Sequence, residues 1–123
     1  MEPQLNNGEY VFVSISDSFN INSRDTIASI KEEEGTTIIL KKNSAERLGF
    51  STDFVSSWIT LNVHSSLEAV GLTSAFSTEL TKSDISCNVV AGYHHDHIFV
   101  NYKDAKRALK ILRKMASSQK KTF

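Results

Sequence analysis

Hydrophobic and polar positions alternate most cleanly at residues 10–15. Val11, Val13 and Ile15 share one face there, and Tyr10, Phe12 and Ser14 the other. Period-two alternation in β-branched and aromatic residues predicts a strand. Residues 16–26, SDSFNINSRDT, are rich in Ser, Asn and Asp and predict a loop with at most one helical turn. Residues 27–33 and 36–41 flank Glu34 and Gly35, the pattern of a tight hairpin. Asn43 is placed to cap a short helix, residues 44–48, that stops at Gly49. Residues 1–8 are polar, hold the only proline and predict a loose leader.

Residues 50–57, FSTDFVSS, form a polar-aromatic connector, and the subdomain boundary is placed there: 1–56 and 57–123. Alternation then returns. Ile59, Leu61 and Val63 share one strand face; Trp58, Thr60 and Asn62 share the other. Ser65 and Glu68 have capping-box spacing, which satisfies two orphan amides at a helix start. The predicted helix buries Ala69, Leu72, Ala75, Phe76 and Leu80 at helical spacing. Ile85, Cys87, Val89 and Ala91 alternate again, residues 92–96 bend, and Ile98, Val100 and Tyr102 lie on the returning strand. Last comes an amphipathic helix with Ala105, Ala108, Leu109, Leu112 and Met115 on one stripe.

Two halves thus repeat one order: strand, crossover, strand, hairpin, strand, helix. Two β-α-β-β-α units predict an α+β fold of ferredoxin-like subdomains, with helices on one face of antiparallel sheets. The first crossover is near the lower limit for a helical return, so that half is a degenerate copy or only superficially similar. Neither half shows a closing strand. It is missing, borrowed from the other half, or supplied by a partner chain.

Composition narrows the function classes. The chain has 123 residues, with 14 basic and 14 acidic side chains, so no whole-molecule field points to nucleic acid or membrane. No apolar run approaches a membrane span, and the start lacks the basic and apolar regions of a secretory signal. Cys87 is the only cysteine, which excludes an intrachain disulfide and fits a cytoplasmic protein. Eight of the 14 Lys and Arg residues fall between Lys103 and Lys121. No aromatic residues interleave with them, so a solvated helix face is expected and nucleic-acid binding is not.

The segments WITLNVHSSLEAVGLTSAFSTEL and ISCNVVAGYHHDHIFV, with GEYVFVSI and EEEGTTIIL upstream, resemble a family of small, poorly characterised proteins. That family is built from two tandem ACT-like domains, and the resemblance runs from Gly8 to Met115. It implies a regulatory module that binds an amino acid or another small ligand, often at a dimer interface. Better-known ACT domains place an Asp-x-x-Gly-like turn between first strand and first helix. Here that position reads His64-Ser65-Ser66-Leu67, with Gly71 a turn later, so the family's ligand is not carried over.

In a ferredoxin-like sheet the end of the 58–63 strand, the helix start and the GYHHDH bend lie at one edge. Free amides at a helix start favour a carboxylate. The expected ligand site therefore uses His64, Ser65, Ser66, Leu67 and Glu68 for the carboxylate. Asn88, Val89, Val90 and Ala91 face the ligand amine. Tyr93, His94, His95 and His97 form a wall. The simpler alternative is that Ser65 and Glu68 only cap the helix. A metal reading of the histidines would need His64 or Asp96 to turn inward, because adjacent strand residues point to opposite faces and only His95 and His97 would share one; a polar hairpin whose histidines hydrogen-bond the helix start is preferred. No metal and no cofactor are expected. Catalysis has little support either. A serine committed to a cap is a poor nucleophile, and Cys87 falls on the apolar face. The expected function is non-enzymatic binding of a small ligand, an amino acid, for regulation. The alternative is a protein–protein interaction module with a vestigial pocket. Trp58 and Phe99 project from the helix-free face, which favours a homodimer.

Overall fold

The computed structural model describes residues 2–16, 19–62 and 71–122, with side chains as far as residue 117. The elements are β1 (Glu2–Leu5), β2 (Tyr10–Ile15), β3 (Thr26–Glu32), β4 (Gly35–Lys41), α1 (Lys42–Arg47), β5 (Ser56–Asn62), α2 (Leu72–Lys82), β6 (Asn88–Ala91), β7 (Asp96–Asn101) and α3 (Ala105–Thr122). Single 3-10 turns, Ser23–Asp25 and Tyr102–Asp104, lead into β3 and α3. The chain divides into two compact units, Gly8–Ser56 and Ser57–Phe123, and Met1–Asn7 goes with the second.

In the first unit β4 lies between β3 and β2 and is antiparallel to both. Alternate residues Val11, Ile15, Ile38 and Leu40 pack on Ala45 of α1. The crossover from β2 to β3 holds one 3-10 turn, with the Asn22 side chain accepting from the Arg24 amide at 3.0 Å. Asp25 then ties this crossover to α1, accepting from Arg47 at 3.0 Å and Ser44 at 3.3 Å. Helix α1 begins at Lys42, two residues before the expected start, and its N-cap is Lys41 without a side-chain bond. The Lys42 amide donates to the Glu9 carbonyl at 2.9 Å, so neighbouring backbone satisfies one of the orphan donors of this helix start.

The second unit has the strand order β1-β5-β7-β6. Ile59 and Leu61 of β5 and Ile98 and Val100 of β7 point to one face. Phe76 and Leu80 of α2, Ala108 and Leu112 of α3, and Ile85 complete that core. Burying Phe76, Leu80 or Leu112 contributes roughly 1.5–3 kcal/mol each. Arg107 of α3 donates to the Ser83 carbonyl at 3.1 Å, pinning this helix to the end of α2. The strand-and-helix plan is the α+β, antiparallel arrangement expected.

Two expectations about the second unit need correction. The polar leader is not loose: Glu2–Leu5 is β1, antiparallel to β5, with Pro3 opposite Leu61 and Leu5 opposite Ile59. It supplies the closing strand of the second unit, the borrowed alternative. Proline fits because β1 is the edge of this unit's order, where one side of the backbone needs no donor. Asn6 locks the strand in place. Its amide nitrogen donates to Thr60 Oγ1 at 2.9 Å and to the Trp58 carbonyl at 3.2 Å.

The second correction concerns the start of α2. Its N-cap is Gly71 at φ 98, and the first helical bond runs from the Ala75 amide to the Gly71 carbonyl at 2.9 Å. A left-handed residue there interrupts any helix arriving from upstream. The Ser65–Glu68 pair therefore does not start α2; those residues, with Val63 and Ala69, lie outside the described residues. At the other end the helix closes as a Schellman motif. The Ile85 amide donates to Leu80 at 3.0 Å and the Asp84 amide to Thr81 at 2.9 Å, with Asp84 held at φ 59.

Candidate functional site

Of the expected ligand contacts, His64, Ser65, Ser66, Leu67 and Glu68 lie outside the described residues. The remainder form one continuous hairpin. Asn88, Val89, Val90 and Ala91 are β6, paired in turn with Phe99, Ile98, His97 and Asp96 of β7. β6 ends the strand order, so its outer backbone edge is open among the described residues. Asn88 Nδ2 donates to the Phe99 carbonyl at 3.2 Å. That bond uses one of the two N–H donors of the amide and fixes its orientation, with Oδ1 as its acceptor.

The bend is set by Gly92, whose amide donates to the His95 carbonyl at 2.9 Å. A Cβ at Gly92 would lie 2.8 Å from that carbonyl oxygen and 2.9 Å from His97 Nε2, so the turn admits no side chain. Tyr93 at the tip is 82% exposed. His94 and His95 are exposed too, with ring centroids 6.3 Å apart; His95 and His97 are separated by 6.5 Å and stand edge-on. Among the described residues, no three His, Cys, Asp or Glu side chains converge to hold a metal ion.

His97 is different. It is half-buried, and its Nδ1 accepts from Trp58 Nε1 at 3.0 Å, with ring centroids 5.6 Å apart. An accepting Nδ1 leaves the imidazole proton on Nε2. Burial pushes the His97 pKa below its ordinary value; the His95 charge adds to this and the Asp96 carboxylate opposes it. The sequence placed Trp58 and His97 on their faces but gave no sign that they meet, because that depends on β5 lying beside β7. The same neighbourhood corrects the expectation of an exposed aromatic patch. Phe99 is 1% exposed, and Trp58 is half-buried with its ring 6.0 Å from Phe99.

Cys87 packs partly buried against the second unit's core, and burial pushes its thiol up to about 11. At neutral pH it is a protonated thiol and a poor nucleophile. A concavity of about 770 Å³ lies away from the hairpin, between α2 and α3. Ala75, Ile111 and Met115 give it an apolar floor, while Glu79 and Lys82 on its rim are paired at 3.1 Å. Sequence periodicity assigns Ala75 and Met115 to the core stripes of their helices.

The described helices include none long and apolar enough to cross a membrane. A crystal structure of a Vibrio cholerae protein of unknown function, described as a possible transport protein, is 45% identical to this chain. The likeness covers 90% of this chain and 86% of that one, with a TM-score of 0.81. An X-ray structure of an Agrobacterium tumefaciens protein covers 92% and 87% at a TM-score of 0.68, but at 16% identity it speaks for the fold alone. No curated protein matches. Residues 1–57 match an ACT domain, and residues 53–114 match a second. ACT domains are typically regulatory, ligand-binding modules, and neither match is to a catalytic domain. The chain therefore belongs to the ACT-domain family, of which it carries two domains in tandem.

Proposed function

We propose that this protein is a non-enzymatic regulator that binds a small ligand, an amino acid, along β6 and the 64–68 segment of its second unit. The observation that carries the reading is Asn88. With Nδ2 held by the Phe99 carbonyl, Oδ1 is left to accept from an ammonium group beside an open strand edge. The open backbone of β6 adds further acceptors, and amides of the 64–68 segment would meet the carboxylate. A protonated Cys87 is consistent with recognition in place of nucleophilic chemistry.

Thermal-shift measurement against the amino acids is the direct test. A ligand at a hundred times its dissociation constant adds about 2.7 kcal/mol of stability. Asn88→Leu should abolish the shift while keeping the fold, since Asn88 is exposed. An absence of stabilisation by every amino acid would overturn the proposal. The interaction-module reading would then stand, favoured by the open β6 edge and the exposed Tyr93. The same edge supports a homodimer formed by strand pairing. Sedimentation equilibrium giving the monomer mass at all concentrations would remove that dimer.

A further inference from the structure

The first unit contains a separate concavity of about 350 Å³, within the range of small-ligand sites. Phe12 comes from β2, and Phe50 and Phe54 come from the connector that follows α1. The Phe12 and Phe54 centroids are 6.3 Å apart with planes tilted by 49°. Phe50 is braced from the side by Phe19 at 5.2 Å. Asp53 is the one ionisable residue of the lining. Among the described residues no hydrogen bond or ion pair engages its carboxylate. Ser14 and Ser51 add hydroxyls to the rim.

Each part of this lining favours the same kind of guest. Aromatic faces carry negative quadrupole potential and attract a cation, most strongly one that gives up its water easily. Asp53 supplies a full negative charge, and the serine hydroxyls accept hydrogen bonds. A hard metal ion would need several oxygen ligands at once, and one carboxylate among phenyl rings does not provide them. An amino acid fits poorly as well, because no basic side chain lines the cavity to pair its carboxylate. We infer that this pocket binds an organic ammonium ion that has no carboxylate, its apolar body against Phe12, Phe50 and Phe54 and its charge on Asp53. The site is independent of the one proposed on β6, lies in the other unit and takes a different class of ligand.

The probe is 2-phenylethylammonium, titrated into the full chain by calorimetry and by backbone amide NMR. Saturable binding with a dissociation constant of about 1 mM or tighter is expected, with amide shifts centred on Ser14, Ser51 and Asp53. Asp53→Asn should weaken it about tenfold and Phe54→Leu about threefold to tenfold. Both positions are exposed, so both variants should fold. 3-Phenylpropionate, the same body with the opposite charge, should not bind, and Asn88→Leu should leave the affinity unchanged. Absence of saturation, equal binding of the carboxylate, or unaltered affinity in Asp53→Asn would each overturn the assignment. Loss of binding in Asn88→Leu would put the guest in the other unit and overturn it as well.

Discussion

The indole N–H of Trp58 donates to Nδ1 of His97 at 3.0 Å, and this bond exists only while the imidazole is neutral. Protonating Nδ1 would set two donors against each other. The folded-state pKa is lowered from 6.5, by burial first and then by the His95 charge. Between that lowered value and 6.5 the unfolded chain binds a proton that the folded chain does not. The stabilising contribution is thus complete above pH 6.5 and is lost as pH falls from there through the folded value. His97→Gln should flatten the acid side of the stability profile, measured by urea denaturation at a series of pH values. Trp58 is the sole tryptophan, so its fluorescence should report the same titration in the native protein and lose that step in the variant.

Asn6 makes two side-chain bonds that hold β1 on β5. Asn6→Ala should cost about 0.5–1.5 kcal/mol, since it removes the bond to Thr60 Oγ1 while the Trp58 carbonyl keeps the residue 6 backbone amide at 2.9 Å. Deleting residues 2–6 should cost more, because Leu61 and Ile59 then sit on an uncovered strand. A denaturation midpoint unchanged by the deletion would show the strand to be dispensable.

Asp84 occupies the left-handed position that ends α2, at φ 59. Glycine adopts that conformation without a Cβ penalty. Asp84→Gly should therefore stabilise the protein by about 0.5–1 kcal/mol, seen as a higher melting temperature with unchanged circular dichroism.

Cys87, with its thiol at about 11, should react slowly with iodoacetamide at pH 8. Against an ordinary thiol at 9.0 the thiolate population falls about a hundredfold, and so should the rate. Urea should restore the ordinary rate.

The fold class was legible because local patterns were strong where the sheet is strong. The 10–15 alternation is β2 without a shift in its ends, and the apolar stripe of the last helix is the face that Ala108 and Leu112 bury. What the sequence concealed was decided at a distance. EPQL offers no alternation that predicts a strand, yet it pairs with residues 59–62 through backbone bonds that leave no mark in its side-chain pattern. Asn43 and the Ser65–Glu68 pair were sound local signals for helix starts. The first yields to a start at Lys42, and a left-handed Gly71 separates the second from α2. Of the candidate site, the hairpin wall was legible from its turn residues. The Trp58–His97 bond was not, because strand order brings those two residues together.

β1 also sets a timetable. Glu2–Leu5 leaves the ribosome before every other element, yet its partner is β5 and its cover is α3. At ordinary elongation rates of about 5–20 residues per second it waits roughly 5–25 s for the last helix. The whole first unit is synthesised during that interval, as an insert between two strands that belong together. Until β1 returns, the nascent second unit carries an unpaired flank on β5.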